Sequence, residues 1–118
     1  MSLAKKLNVR AGTAVRVIGK PRTVSLDGVP TTRSPGADGI IVFAATMEEL
    51  QQREHDIVAA AHDRLTWVAY PKAGQLGTNL NRDILSKHLE ARGLDGVRQV
   101  ALDSLWSAIR FRVARPAG

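Results

Sequence analysis

Two lysines and two helix-capping residues are the side chains of this sequence whose types and spacing could hold an anion. Lys20 and Lys72 each stand at the end of an apolar run, and Thr46 and Asn81 each precede a helical pattern. Ligands bind beyond the carboxyl ends of the strands of an open parallel sheet, and the free N–H groups of a helix start attract anions. We therefore expect four residues to form one rim that binds a phosphate or carboxylate. We call this set the anion rim: Lys20, Thr46, Lys72 and Asn81.

The loop between Lys72 and Asn81 also has a purely structural interpretation. Gly74 and Gly77 would let the chain turn from a strand into a helix, Lys72 would be solvated, and Asn81 would only cap its helix. Both interpretations remain open at the level of the sequence.

A second candidate surface lies near the C-terminus. Trp106 and Arg110 fall on one side of a predicted strand, because side chains alternate between the two faces of a sheet. They would form a recognition surface for a protein partner or nucleic acid. Alternatively, Trp106 packs under a flanking helix and Arg110 lays its aliphatic stem across apolar surface.

The residues of other common catalytic and metal sites do not occur in the required patterns. His55, His62 and His88 have no partners at metal-ligand spacing, and the chain has no cysteine, so we expect no metal site. A Walker loop and a G-x-S-x-G elbow are both missing from the sequence. We therefore predict no catalytic residues.

The first predicted strand ends in a segment that is poorly suited to a nucleotide cofactor. Its continuation is Gly19-Lys20-Pro21, with one glycine instead of the several that let a backbone approach a cofactor closely. Asp27, which could serve as an acidic ribose partner, lies too near this strand for the usual spacing. We therefore expect no cofactor.

The apolar and capping patterns predict the elements that position these residues. A short helix is expected over residues 3–7, a second over 47–62 with Thr46 and Glu49 as a capping box, and a third from Asn81 to Gly93. Five segments have strand patterns: 14–18, 40–45, 67–70, 97–102 and 105–113.

Residues 20–38 allow two interpretations. Asp27-Gly28 suits a hairpin turn between two short strands. Equally, 23–26 would form one helical turn before a short strand near 29–32, which Pro30 would place at a sheet edge.

The order of these elements predicts a single α/β domain over residues 1–118. Strands that alternate with helices imply parallel pairing, and the last two strands are close enough for an antiparallel hairpin. We expect a mostly parallel, Rossmann-like sheet flanked by helices and closed by that hairpin.

Several short motifs carry a resemblance to known proteins. They are the strand end Tyr70-Pro71-Lys72-Ala73-Gly74, the loop glycine Gly77, Asp83-Ile84, and Trp106-Ser107 with Arg110. Over residues 39–113 the chain resembles a family of short bacterial proteins known only as a domain of unknown function. The element pattern looks like the C-terminal half of the Rossmann-like methyltransferase fold. This resemblance implies a fold and no established activity.

The charge distribution points to an anionic partner. The net charge is +6, and residues 1–38 hold seven Lys and Arg against Asp27 and Asp38, which gives +5 for that segment. None of the five aromatic residues lies there, so the stacking platform of single-strand binders is missing from it. The sequence has no apolar segment of signal-peptide or membrane-span length, and the cytoplasm is the expected location.

From these features we expect a small, non-catalytic, methyltransferase-like α/β domain that binds an anionic metabolite or a protein partner. Two alternatives are a degenerate adenosyl-cofactor enzyme and nucleic-acid binding through the basic N-terminal third. The sequence leaves the oligomeric state open.

Overall fold

The computed structural model describes residues 2–72 and 77–114. Three helices and six strands occur within these residues. In chain order they are α1 (Leu3–Lys6), β1 (Val15–Ile18), β2 (Thr31–Thr32), β3 (Gly39–Phe43), α2 (Met47–Ala61), β4 (Leu65–Pro71), α3 (Arg82–Glu90), β5 (Leu94–Ala101) and β6 (Trp106–Val113). The Ala73-Gly74 part of the loop after β4 lies outside the described residues.

The strands form one mixed sheet in the order β2-β1-β3-β4-β6-β5. The first four strands in chain order pair in parallel, whereas β6 is antiparallel to both β4 and β5. The predicted α/β class and the C-terminal antiparallel hairpin are thus confirmed. The chain passes from β1 to the edge strand β2 and then returns to the other side of β1 as β3, so the strand order reverses between β1 and β3.

Two sequence predictions about strand positions need correction. The fifth strand begins at Leu94 instead of residue 97, because Gly93 adopts a left-handed φ of 84° and turns the chain directly from α3 into β5. The hairpin alternative at Asp27-Gly28 is wrong, because residues 23–26 before it form no strand and β2 after it pairs with β1 in parallel. Of the other alternative, the short edge strand near residues 29–32 is confirmed as β2, whereas the helical turn over residues 23–26 is not present.

Apolar side chains cover both faces of the sheet. On the helix face, Val42 and Val68 pack against α2 and α3 through residues such as Leu50 and Leu85. On the opposite face, which we call the N-terminal face, the strands pack against α1, its C-cap Leu7 and the irregular segment 20–30. The residues of that segment in this cluster are Val24, Leu26 and Val29. Burial on both sides explains why the run from Ile40 to Ala44 is continuously apolar.

The predicted helix caps are present. Thr46 Oγ1 accepts a hydrogen bond from Glu49 N at 3.2 Å, and Asn81 Oδ1 accepts one from Ile84 N at 3.0 Å. Ile84 itself is 38% exposed, whereas the next residue, Leu85, is fully buried. No helix of the described residues has the length and apolar character needed to cross a membrane.

Candidate functional site

A cavity of about 690 Å³ lies on the helix face, where the carboxyl end of β4 meets the start of α3. We call it the helix-face cavity. The described residues that line it are Tyr70, Lys72, Asn81, Arg82, Asp83, Gln99, Ala101 and Ser107. Two members of the anion rim, Lys72 and Asn81, therefore come together here, with six residues that the sequence analysis did not propose for the rim.

Strand register builds the floor of the helix-face cavity. Tyr70 of β4 is opposite Ser107 of β6, and Ala101 of β5 is opposite the same serine. Gln99 stands two residues before Ala101, so its side chain points to the same face of the sheet. Polar groups from three neighbouring strands thus form one row beneath the start of α3.

Tyr70 is the most deeply buried polar side chain of this row. The residue is 2% exposed, and its hydroxyl accepts a hydrogen bond from Gln99 Nε2 at 2.9 Å. Burial raises the pKa of the Tyr70 phenol above its ordinary value, and hydrogen bonds with Ser107 and Gln99 offset only part of that effect. Tyr70 is therefore protonated at neutral pH and acts as a hydrogen-bonding group instead of a base.

The mouth of the cavity carries two cations and one carboxylate. Lys72 is fixed at its backbone, since its N–H donates to Leu105 O at 2.8 Å. Arg82 Nε lies 3.4 Å from Asp83 Oδ1, and the two side chains are 60% and 77% exposed. Exposed pairs of this kind contribute little stability, so the Arg82 guanidinium can turn toward a ligand at small cost.

Lys20 does not share the cavity of Lys72. Its ammonium donates to Val24 O at 2.6 Å and to Pro21 O at 3.1 Å. It lines a second cavity, of about 750 Å³, together with Val17, which packs into the cluster of the N-terminal face. Tyr70 belongs to the cluster of the helix face, so the two lysines line cavities on opposite faces of the sheet.

Thr46 has a capping role at the start of α2. The first turn of that helix is occupied by side chains: Thr46 Oγ1 accepts from Glu49 N, and Asn79 Oδ1 accepts from Met47 N at 3.0 Å. The pKa of Glu48 is lowered by hydrogen bonds with its own backbone N–H, with Thr46 and with Asn79. The N–H groups expected to attract an anion at this helix are thus already paired within the protein.

The crevice where the strand order reverses is filled by Arg53 of α2. Its Nη1 donates to the carbonyl oxygen of Phe43, at the end of β3, and lies 3.4 Å from Glu49 Oε1. A Cβ atom added to Gly19, at the end of β1, would lie 2.7 Å from Arg53 Cζ. An adenosyl or dinucleotide cofactor at this crevice would need the close approach to Gly19 that the guanidinium already occupies. The residues present do not fit such a group.

Trp106 and Arg110 are not one exposed surface. Trp106 is 3% exposed and packs edge-to-face against Phe43, with ring centroids 5.4 Å apart. It therefore offers no surface to a partner, and it lies in the cluster of the N-terminal face, to which α1 contributes Leu3 and Ala4. Arg110 is half-buried further along the same strand.

The sequence contained only part of the signal for the cavity. Tyr70 could have been found from Lys72, because residues two apart in a strand share a face. Predicting that Gln99 and Ser107 line the same cavity requires the strand order, in which β6 lies between β4 and β5. No local sequence pattern supplies that order. Arg82 lies next to the predicted cap Asn81 and was not singled out.

A scan against protein-family models and a search of curated proteins gave no match to this chain. Within residues 2–72 and 77–114, no three His, Asp or Glu side chains are grouped closely enough to hold a metal ion.

Proposed function

We propose that this chain is a binding domain that takes an anionic small molecule in the helix-face cavity without transforming it. The observation that carries the proposal is the convergence of Lys72 and Arg82 on a cavity of about 690 Å³ whose floor holds the buried hydroxyl of Tyr70. Ligand cavities commonly combine a concave surface of this size with a few well-placed polar groups.

The chemistry of the lining residues assigns a role to each part of the ligand. Lys72 and Arg82 would pair with its phosphate or carboxylate, since charge-assisted hydrogen bonds are the strongest that side chains form. The polar row of Tyr70, Gln99 and Ser107 would bind hydroxyl or amide groups deeper in the cavity. The only carboxylate among the described lining residues, Asp83, is 77% exposed and can turn away.

We further propose that the fold is a shortened Rossmann-like sheet of the methyltransferase type. The proposal is supported by the reversal of strand order between β1 and β3 and by the antiparallel strand β6 inserted between β4 and β5. A cytoplasmic location and nucleic-acid binding through the N-terminal third stay predictions from the sequence.

The proposed function is tested by measuring how the melting temperature responds to anions. Inorganic phosphate, pyrophosphate and a panel of phosphorylated and carboxylated metabolites are added to the purified protein, because a ligand that binds only the folded state raises this temperature. Dissociation constants for each compound that shifts it are then measured by calorimetry for Lys72→Ala and Arg82→Ala. Loss of a charge-assisted hydrogen bond of about 1.5 kcal/mol corresponds to roughly tenfold weaker binding.

The matched control is Lys87→Ala, which removes an exposed cation from α3 outside the lining of the cavity. It should bind as the wild type does. Equal weakening by all three substitutions would show that only the net charge matters and would contradict a defined site. Absence of any shift across the panel would also contradict it.

A further inference from the structure

We propose that the crevice between the ends of β1 and β3 is a guanidinium-binding site that the protein fills with its own Arg53. The crevice lies where the strand order reverses, which is the position at which open α/β sheets usually bind an external ligand. Here the Arg53 side chain, which belongs to α2, occupies the position of that ligand. The inference is independent of the helix-face cavity, because the two sites have no residue in common.

The hydrogen-bonding groups around the Arg53 guanidinium are acceptors. Phe43 contributes a backbone carbonyl and Glu49 a carboxylate oxygen, and that same oxygen accepts from Ala45 N at 3.4 Å. The link to Ala45 holds the carboxylate against the end of β3. A guanidinium is planar and has only donors, so it matches such a set of acceptors, whereas a phosphate group would be repelled by it.

Gly19 supplies the flat wall on which the guanidinium lies. Its φ is 73°, a left-handed conformation that glycine adopts without strain. The three atoms nearest to an added Cβ are Arg53 Cζ, Nη1 and Nη2, at 2.7, 2.9 and 3.0 Å. The single glycine after the first strand therefore accommodates an internal arginine, and a nucleotide would have to displace that arginine to enter.

The main test is chemical rescue of an arginine-deleted variant. Arg53→Ala removes the occupant and should lower the melting temperature by about 5 °C or more, since hydrogen bonds to charged groups are lost. Methylguanidinium at millimolar concentration should then raise the melting temperature of Arg53→Ala by a few degrees, because it binds the vacated acceptors in the folded state. Methylguanidinium should not raise the melting temperature of the wild type. It should also not raise that of the control variant Arg112→Ala, in which an exposed arginine of β6 is removed.

A double-mutant cycle tests the contact between Arg53 and Gly19. Gly19→Ala should destabilise the wild type in two ways: it strains the left-handed backbone, and its methyl group moves the end of the flexible Arg53 side chain away from its acceptors. In the Arg53→Ala background only the backbone strain remains, so the same substitution should lower the melting temperature by a clearly smaller amount. Equal losses in the two backgrounds would mean that moving the guanidinium away from Gly19 costs no stability, so that the acceptors of the crevice do not bind it, and would overturn the proposal.

A measurement on the wild type covers the case in which Arg53→Ala does not fold. In ¹⁵N-resolved NMR spectra of the arginine side chains, the Arg53 guanidinium should show slow proton exchange relative to exposed arginines. Rapid exchange of this group would overturn the proposal, as would rescue by methylguanidinium that is equal in wild type and variant. Saturable binding of S-adenosylmethionine or NAD to the wild type, with shifts at Gly19 and Arg53, would overturn it as well.

Discussion

At the scale of single residues, the structure separates polar groups that already have partners from those that face a cavity. The Lys20 ammonium is held by the carbonyls of Pro21 and Val24, and the Thr46 hydroxyl caps α2. Lys72 and Arg82 instead stand at the mouth of the helix-face cavity. A lysine or threonine at the end of a strand therefore does not by itself indicate a binding role, because neighbouring backbone groups compete for its hydrogen bonds.

Gly39 offers a prediction at this scale, because it lies where three parallel strands approach closely. An added Cβ would lie 2.7 Å from Leu65 O and 3.3 Å from a Val15 methyl group. Gly39→Ala should therefore lower the free energy of unfolding by about 3 kcal/mol, the upper end of the cost of overpacking, since a backbone atom cannot move aside. Urea unfolding followed by tryptophan fluorescence measures this change.

Gly36→Ala is the matched control for that experiment. The nearest atom to its added Cβ is Ser34 Oγ at 3.7 Å, an ordinary contact on the exposed segment before β3. We expect it to change the unfolding free energy by less than about 0.5 kcal/mol. A Gly39→Ala variant as stable as Gly36→Ala would contradict the packing described for β1, β3 and β4.

At the scale of elements, α2 and α3 are joined by an ionic cluster on the helix face. Glu54 of α2 contacts His88 Nε2 through one carboxylate oxygen, and its other oxygen lies 2.8 Å from Arg92 Nε, just beyond α3. The Glu54 side chain is 25% exposed and that of His88 is 12% exposed. This cluster fixes the position of α3, whose first turn carries Arg82 into the helix-face cavity.

The Glu54 cluster predicts a specific pH dependence of stability. The hydrogen bond from Arg92, with a smaller contribution from His88, lowers the pKa of Glu54 despite the opposing effect of burial. A carboxyl with a lowered folded-state pKa stabilises the fold above its unfolded pKa, and this contribution is lost as the pH falls through the folded value. Glu54→Gln should thus reduce the unfolding free energy at pH 7 by about 1–2 kcal/mol, between the values for exposed and buried pairs.

Urea unfolding at a series of pH values from 7 to 3 checks this prediction. The difference between wild type and Glu54→Gln should persist down to the ordinary range of a glutamate carboxyl. It should then shrink as the pH falls through the lowered pKa of Glu54 in the folded state, where the wild-type carboxyl takes up a proton. Glu90→Gln, an exposed substitution on α3, serves as the control and should keep the wild-type pH profile. A constant difference between wild type and Glu54→Gln across this range would argue against the ionic cluster.

At the scale of the whole molecule, the sheet separates the basic residues of one cavity from those of the other. Lys72 and Arg82 belong to the helix face, whereas Lys20, Arg22 and Arg33 line the cavity of the N-terminal face. Since both faces are covered by apolar clusters, the sheet and its core lie between the two cationic regions. Charges in one region therefore act on a ligand in the other only at long range.

This separation predicts that binding at the helix-face cavity is insensitive to charge on the other face. In an NMR titration with inorganic phosphate at 0.15 M ionic strength, the double variant Arg22→Glu/Arg33→Glu should change the dissociation constant by less than about threefold, because screening operates over roughly 8 Å. Lys72→Ala should weaken the same binding about tenfold. Stronger weakening by the double variant than by Lys72→Ala would place phosphate on the N-terminal face.

The sequence by itself determined the local elements and the class of fold. The caps at Thr46 and Asn81, the doubly buried strand β3 and the C-terminal hairpin all depend on residues close together in the chain, so their patterns can be read directly. The boundary of β5 and the course of residues 20–38 do not follow from local patterns, because they depend on the conformation of Gly93 and on pairing with β1.

Only the tertiary structure decided which side chains meet. Lys20 and Lys72 both follow parallel strands, yet the turn at Gly19 and the carbonyls of Pro21 and Val24 hold Lys20 at the N-terminal face. Tyr70, Gln99 and Ser107 form one row because β6 inserts between β4 and β5, far from chain order. Contacts of this kind depend on strand order and on competition for hydrogen bonds. The spacing of residues along the chain predicts neither the strand order nor the outcome of that competition.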